Sequence, residues 1–354
     1  MNRREMLVSV GGGVSAALLT AAARGAPAPK TTAVGVCIHS YMIRPKVERL
    51  RGNAGAITDP PAFLEHCHRL GAGGIQIGIG VRDESYTARL RKRAEAYGMY
   101  VEGTAGLPRE EKDVARFEAT VRTAKAAGAS VVRTVMMPGR RYEQFDSADA
   151  FRQAVERGRK SLELAEPVAA RHKVHLAIEN HKDQRAGERL AVLRHISSEY
   201  VGMCVDTANS IVLLEDPMEV VRAYAPWARA VHLKDQRFRE CEDGFLAADV
   251  PLGDGVLDLA EMVRVLREAR PQVRFSIEIH TRDALKVPCL TPTYWAAMAD
   301  VPARDLARAL QMVRAKASPE PFVQVSGMPL EKQLELEEAN VRRSLAFARD
   351  RLGL

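Results

Sequence analysis

The chain alternates between short apolar segments and longer amphipathic ones over most of its length. The apolar segments, such as "AVGVCIH" at 33–39 and "VRFSIEI" at 273–279, are rich in Val and Ile, which is typical of buried β-strands. Between them lie patterns such as "LDLAEMVRVLREAR", where apolar residues recur at helical spacing, and several of these end in glycine, which commonly stops a helix. The predicted strands lie at 33–39, 74–79, 98–103, 130–137, 174–179, 201–206, 229–234 and 273–279.

Strands that alternate with helices through short connections pair in parallel. An open doubly wound sheet usually has fewer strands and carries a glycine-rich phosphate turn after its first strand, and "AVGVCIHSY" continues without such a turn. We therefore predict an α/β fold, a (β/α)8 TIM barrel, over residues 31–354. One stretch does not follow the alternation: residues 281–328 form a long insertion between the eighth strand and the last helix.

The first 30 residues read as a transport signal rather than as part of the barrel. Arg3 and Arg4 precede a weakly apolar, Gly- and Ala-rich segment and then "AAARGAPA", which offers small residues for cleavage, so residues 1–30 resemble a twin-arginine export signal. A membrane anchor is the competing interpretation, but three consecutive glycines weaken a helix that is barely long enough to span. We expect export to the periplasm or secretion, without a stable membrane anchor.

Composition narrows the class of protein further. A chain of 354 residues that is 46% hydrophobic and 27% charged can bury one large core. The formal charge of +7 is spread among acidic residues on predicted helices, so there is no basic tract of the kind that nucleic acid selects. Five cysteines, an odd number in no zinc-binding spacing, make a full disulfide framework a poor interpretation.

Each of the last four predicted strands, the fifth to the eighth, has at or near its end a residue of a type that can bind a metal ion. Each one alone has an ordinary explanation, such as a salt bridge, a helix cap or a core histidine, but in a barrel the strand ends share one mouth. Three carboxylates and one imidazole form a hard ligand set that suits Mn²⁺ or Mg²⁺, with Co²⁺ or Zn²⁺ as alternatives. The predicted ligands are Glu179, Asp206, His232 and Glu278.

Several short motifs carry a resemblance to a known family. With "AIENH", "VDTAN", "HLKD", "GDG" and "SIEIH", residues 32–282 and the terminal helix resemble the sugar isomerase and epimerase group of xylose isomerase-like TIM barrels. The resemblance implies one divalent cation on the four strand-end residues, with Glu179 and Glu278 also acting as an acid/base pair on opposite faces of a bound ketose. Several members have a histidine three positions after the strand-six aspartate, where this chain has Asn209.

The same residues make the chemistry understandable. Moving a carbonyl along a sugar, or inverting the neighbouring carbon, requires removal of a proton next to the carbonyl and stabilisation of the enediolate, which a carboxylate and a divalent cation supply. We expect an unphosphorylated small-molecule sugar as the partner, and leave a homo-oligomer open. Arg133 is a weaker candidate for the site. The predicted substrate-binding residues are His181, Asn209, Lys234, Arg237 and, on the insertion, Trp295.

Three other functions use parts of the same pattern. A lyase that dehydrates a keto-inositol or eliminates from a 3-keto-glycoside would use the same base and metal, so the sequence leaves it open as the main alternative. A non-catalytic sugar-binding barrel would more readily have lost one of the paired glutamates. A multi-zinc endonuclease needs more histidines than this chain offers, because the second strand, "GIQIGIG", supplies none and Asn209 replaces another.

Overall fold

The computed structural model describes residues 30–53 and 55–354. The predicted export signal at residues 1–30 lies, apart from its last residue, outside the described residues. Within the described part of the chain, no helix is both long and apolar enough to cross a bilayer.

Eight parallel strands close into a barrel, and each of the eight predicted segments supplies one of them, so the predicted fold class is confirmed. Around the barrel the order is β1-β10-β7-β6-β5-β4-β3-β2. The register aligns the carboxyl ends of neighbouring strands, since Asp206 lies opposite His232, and His232 opposite Ser276. The barrel strands are β1 Gly35–Cys37, β2 Gly74–Ile77, β3 Tyr100–Thr104, β4 Val131–Thr134, β5 His175–Glu179, β6 Val201–Asp206, β7 Ala228–Leu233 and β10 Arg274–Ile277.

Helices surround the barrel and bury their apolar faces against the strands. Several begin at a side chain that caps the free backbone N–H groups of the first turn: Asp83 accepts from Tyr86 N at 2.8 Å, and Ser147 accepts from Ala150 N at 3.2 Å. Short 3-10 turns lie at Ile38–Ser40, Asn209–Leu213 and Ala225–Trp227. The α-helices are α1 Arg44–Leu50, α2 Pro60–Arg69, α3 Glu84–Ala96, α4 Glu111–Ala126, α5 Arg141–Gln144, α6 Ala148–His172, α7 Ala186–Ile196, α8 Pro217–Tyr224, α9 Leu259–Ala269, α10 Pro292–Trp295, α11 Ala303–Ala315 and α12 Leu330–Arg351.

A second, three-stranded antiparallel sheet lies beside the barrel mouth, and the sequence analysis does not predict it. It consists of β8 Asp235–Cys241, β9 Gly244–Val250 and β11 Leu285–Val287, in the order β11-β9-β8. Strands β8 and β9 form a hairpin, which turns tightly at Gly244, where the φ of +146° is a backbone conformation that favours glycine. The segment 281–328 contains β11, α10 and α11, and β11 joins that segment to the hairpin.

The motifs "HLKD" and "GDG" form one structural unit at the start of this sheet. The carboxylate of Asp235 accepts backbone N–H bonds from Gly253 and Gly255 at 3.0 Å each, and from Leu257 at 3.2 Å. A Cβ atom at position 255 would collide with that carboxylate, so the close approach requires glycine. The unit fixes the chain just beyond His232, where β7 leaves the barrel.

Candidate active site and metal centre

The four predicted strand-end residues converge at the carboxyl end of the barrel. Glu179 and Asp206 are the last residues of β5 and β6, His232 is the penultimate residue of β7, and Glu278 directly follows β10. Each offers one ligand atom, and these four atoms all lie within 4.8 Å of one another. All four side chains are buried. The geometry predicted from the strand ends is thus present, while the roles of the four residues stay predictions.

His232 is oriented by a chain of side chains from the neighbouring strands. Its Nε2 lies 2.7 Å from Oε1 of Gln76, and Nε2 of Gln76 donates to Oε2 of Glu102 at 2.9 Å. Because an amide oxygen only accepts, Nε2 of His232 carries a proton, and Nδ1 is the ring nitrogen that faces the glutamates. Burial lowers the pKa of this ring, but Cys204, Glu278 and the other acidic neighbours outweigh it and raise the pKa well above its ordinary value, so a metal at Nδ1 would displace a proton. Nδ1 lies 3.5 Å from Glu278 and 3.7 Å from Glu179, and has no hydrogen-bond partner among the described residues.

Asp206 uses one carboxylate oxygen for structure and leaves the other towards the site. Its Oδ1 accepts from the backbone N–H groups of Ala208 and Asn209 at 2.9 and 2.8 Å, which caps the 3-10 turn. Its backbone is tied to Asn180, whose side chain accepts from Asp206 N at 2.8 Å and donates to Asp206 O at 2.9 Å. Oδ2 accepts no hydrogen bond, although the ammonium of Lys234 lies 3.0 Å away.

These residues fit a divalent cation. A buried imidazole nitrogen without a hydrogen-bond partner and a buried carboxylate oxygen in the same state are costly unless a ligand completes them. The set holds three carboxylates and one nitrogen, the ligands expected for Mg²⁺ or Mn²⁺. Cys37 forms a second possible ligand group with His232 and Glu278, and a thiolate also suits Zn²⁺ or Co²⁺.

Two cationic side chains hold the paired glutamates in their ionised form. Arg133 Nε donates to Glu179 Oε2 at 2.6 Å, and Lys234 Nζ donates to Glu278 Oε2 at 2.8 Å. Burial raises the pKa of each glutamate, but the surrounding cations together outweigh it, with Arg133 the strongest of them at Glu179 and Lys234 the strongest at Glu278, so both pKa values lie below the ordinary range. Asn209 Nδ2 also donates to Glu179 Oε1 at 3.2 Å. Both carboxylates are therefore available as proton acceptors.

Comparison with known proteins agrees with this fold. A family model described as xylose isomerase-like TIM barrel matches residues 64–347. The chain belongs to the xylose isomerase-like TIM barrel family. The resemblance seen in the motifs is confirmed at this level.

Proteins similar to this chain are named for different activities. A 3-oxo-isoapionate decarboxylase from Pectobacterium atrosepticum is 26% identical over 224 residues, which span 61% of this chain and 76% of the relative. A xylose isomerase-like protein from Mycobacterium smegmatis, solved in complex with magnesium, shares the fold with a TM-score of 0.52 at 17% identity, covering 78% of this chain and 97% of that one. A D-psicose 3-epimerase solved with D-fructose has a TM-score of 0.54 at 17% identity, covering 83% and 94%.

Two of the predicted substrate-binding residues of this xylose isomerase-like barrel contact the quartet, and a third, His181, follows Glu179 by two residues. Lys234 and Asn209 contact its carboxylates directly, and Lys234 Nζ also donates to Asn209 Oδ1 at 3.4 Å. His181 Nδ1 donates to the Gly139 carbonyl at 3.0 Å, and the pKa of its ring is lowered by burial and by the neighbouring Lys182.

The other two, Arg237 and Trp295, are held by contacts away from the quartet. Arg237 lies on β8, and its Nε donates to the Asp254 carbonyl at 2.6 Å, beside a separate cavity of about 360 Å³. Trp295 Nε1 donates to the Cys289 carbonyl at 2.9 Å and its ring packs against Tyr294, which anchors the insertion. Neither is among the side chains that the structure brings into contact with the four ligands.

The structure also adds residues that sequence reasoning missed. Gln76 is a polar residue within an apolar strand, a signal that could have identified it. His39 Nδ1 lies 3.3 Å from Glu278 Oε1 and 42% of its side chain is exposed, so it links the buried glutamate to solvent. The structure further shows a buried Lys182, an Asp249 whose side chain is 2% exposed, and a partly exposed Arg282. Asp249 gave no signal, because it lies on the hairpin that was not predicted.

Proposed function

We propose that this protein is a divalent-metal-dependent sugar isomerase or epimerase that moves a proton at a carbon next to a carbonyl. The observation that carries the proposal is the pair of buried glutamates at the carboxyl ends of β5 and β10, whose carboxylate oxygens lie 3.7 and 3.5 Å from the same imidazole nitrogen. Membership of the xylose isomerase-like family, and a fold shared with a D-psicose 3-epimerase, are compatible with this reaction.

The reaction assigns a role to each glutamate. One carboxylate removes the proton from the carbon, the released electron pair forms the carbon–carbon double bond of an enediolate, and the negative charge moves to the former carbonyl oxygen. In an isomerisation the same carboxylate returns that proton to the neighbouring carbon. In an epimerisation the other glutamate, protonated beforehand from solvent, delivers its proton to the opposite face while the first glutamate keeps the proton that it removed. A bound divalent cation would supply Lewis-acid polarisation of the substrate oxygens. Lys234 and Arg133 add fixed positive charge beside the developing oxyanion.

The proposal is tested by hydrogen exchange in deuterated water. Mn²⁺-loaded protein is incubated with ketoses, keto-inositols and 3-keto-glycosides, and deuterium on the carbon next to the carbonyl is measured by NMR. A general base is worth roughly a hundred- to ten-thousand-fold in rate, so Glu278→Gln should lower exchange by that factor. Glu268→Gln, on the exposed face of α9, is the matched control and should exchange normally. No exchange on any substrate would contradict the proposal.

A lyase is the second candidate, and the 26% identity to a 3-oxo-isoapionate decarboxylase favours it. In a 3-oxo acid the bond to the carboxylate carbon breaks, carbon dioxide leaves, and the electron pair forms an enolate that a protonated glutamate then quenches on carbon. Elimination from a keto-inositol or a 3-keto-glycoside would begin at the same proton. The exchange experiment separates these reactions, because an isomeric product supports the isomerase, while release of carbon dioxide, water or an aglycone supports a lyase.

A further inference from the structure

Lys182 is a buried cation for which the protein itself provides no anionic partner. Only 4% of the residue is exposed. Among the residues that the structure describes, none gives its Nζ a hydrogen bond, no carboxylate oxygen lies within 4.0 Å of it, and the atom is not completely closed off from solvent. Lysine is rarely buried without a partner, because an ammonium loses its hydration there. A ligand that carries negative charge would remove this cost.

A backbone hydrogen bond and a neighbouring ion pair hold the segment around Lys182 in place. Its carbonyl accepts from Arg141 N at 2.9 Å. The next residue, Asp183, forms a buried ion pair with Arg189 at 2.6 Å. These contacts hold the backbone at and beside Lys182, three residues after β5 ends at Glu179.

The charges that act on Lys182 are those of the mouth. Burial lowers its pKa to about 8; Lys234 lowers it further, and Asp206 and Asp249 oppose this. Arg282 also acts on it, has 32% of its side chain exposed, and lies 3.5 Å from Asp249 Oδ2 on the hairpin. Lys182 follows Glu179 by three residues and Arg282 follows Glu278 by four, so both cations come from chain segments at the carboxyl end of the barrel, and we call this pair the rim.

The charges of the mouth also favour an anionic substrate. Apart from its histidines, the mouth holds four basic side chains and four carboxylates, and a bound divalent cation would add two positive charges, so negative charge on the substrate is favourable there. Proton transfer from the substrate to a glutamate does not change the total charge, because the carboxylate loses the charge that the enediolate gains. The charged residues are Arg133, Lys182, Lys234 and Arg282 with Glu179, Asp206, Asp249 and Glu278.

We propose that Lys182 and Arg282 bind a carboxylate of the substrate, which makes the substrate a sugar acid or keto-sugar acid rather than a neutral sugar. The inference rests on the proposed function, since it concerns the substrate of the same site. A carboxylate fits better than a phosphate, because the carboxylates of Asp206 and Asp249 next to Lys182 repel a dianion more strongly than a monoanion.

Binding by the Mn²⁺-loaded protein tests the proposal without turnover. Titration calorimetry compares D-gluconate, D-glucitol and D-fructose 6-phosphate, which present a carboxylate, no charge and a phosphate. We expect gluconate to bind most tightly. Lys182→Met should weaken gluconate by about ten- to a hundredfold, the usual effect of a buried charge-assisted hydrogen bond, and leave glucitol unchanged. Lys92→Met, at an exposed position on α3, is the control and should change neither.

Arg282→Gln repeats the test at a partly exposed position, in case Lys182→Met does not fold, and should weaken gluconate selectively. Equal binding of gluconate and glucitol by the parent, equal weakening of both by each variant, or tighter binding of the phosphate would overturn the proposal. These outcomes are independent of the proposed reaction. Selective gluconate binding without hydrogen exchange would sustain the carboxylate site and contradict the isomerase, whereas exchange on neutral ketoses without gluconate preference would do the opposite.

Discussion

The barrel mouth holds two buried lysines that are in opposite situations. Lys234 belongs to an inner layer, which consists of the four predicted ligands with Lys234 and Arg133, and Lys182 belongs to the rim. Lys234 in the inner layer lies 2.8 Å from Glu278 and 3.0 Å from Asp206, and these carboxylates outweigh burial and raise its pKa well above the ordinary value. Lys182 in the rim has no carboxylate within ion-pair distance in the described chain, and burial lowers its pKa to about 8. Burial is common to both, so the partners decide the outcome.

The comparison separates charges that the protein satisfies from charges that it leaves for a ligand. The inner layer is held together by its own ion pairs, which keep both glutamates ionised and the four ligand atoms close. In the rim, Arg282 lies within ion-pair distance of Asp249, whereas Lys182 carries a positive charge that no carboxylate of the described chain pairs. This is the pattern expected when one layer performs the chemistry and the other recognises an anion.

The largest expected effect separates the two lysines by their contribution to stability. Lys234→Met leaves buried Asp206 and Glu278 without their ammonium, and should lower the free energy of unfolding of the metal-free protein by about 3–5 kcal/mol. Lys182→Met removes an unpaired charge and should change it by less than about 1 kcal/mol. Urea unfolding in the presence of a chelator measures both. Equal losses in the two variants would remove the distinction between the inner layer and the rim.

A smaller effect is expected from the side chain that orients His232. Gln76→Leu removes the acceptor of the Nε2 proton, so Nδ1 is no longer held towards Glu179 and Glu278, and Mn²⁺ affinity should fall by about ten- to a hundredfold. Electron paramagnetic resonance titration of free Mn²⁺ measures the affinity. Gln272→Leu, at an exposed position before β10, serves as the control. Unchanged affinity in the Gln76 variant would show that this contact does not support the metal centre.

The smallest effect concerns Asp249, which borders the rim. It accepts from Gln236 at 2.8 Å and lies 3.2 Å from His280, and although burial raises its pKa, Lys234 and His280 outweigh burial and hold it below the ordinary value. Asp249→Asn keeps the shape and one acceptor, so the loss of unfolding free energy at neutral pH should be about 1 kcal/mol.

The pH dependence of that loss follows from the direction of the shift. Because the pKa of Asp249 is lower in the folded than in the unfolded chain, its stabilisation is present above about pH 4 and is lost as the pH falls towards the folded pKa. Urea unfolding of parent and variant at several pH values should therefore give a constant difference from about pH 7 to about pH 5 and a smaller one below about pH 4. A difference that grows on acidification would contradict this role.

The barrel and the inner layer could be predicted from the sequence because both follow from local patterns. Each barrel strand is a short apolar segment that can be recognised from its own residues, and the predicted ligands lie at or beside the ends of those segments. Closure of a parallel barrel then brings consecutive strand ends together without further information. Glu179, Asp206, His232 and Glu278 were predicted in this way, and the structure brings them within reach of a single ion.

The rim and the orientation of the ligands were decided only by the tertiary structure. Lys182, Asp249 and Arg282 come from a loop, an unpredicted hairpin and the insertion, and none of these segments carries a repeating pattern that states which way a side chain points. Whether a buried lysine has a partner depends on atoms that are distant in sequence and a few ångströms away in space. Periodicity along a chain determines which residues are buried together, whereas the balance of charge among them is set by contacts that form only when the barrel has closed.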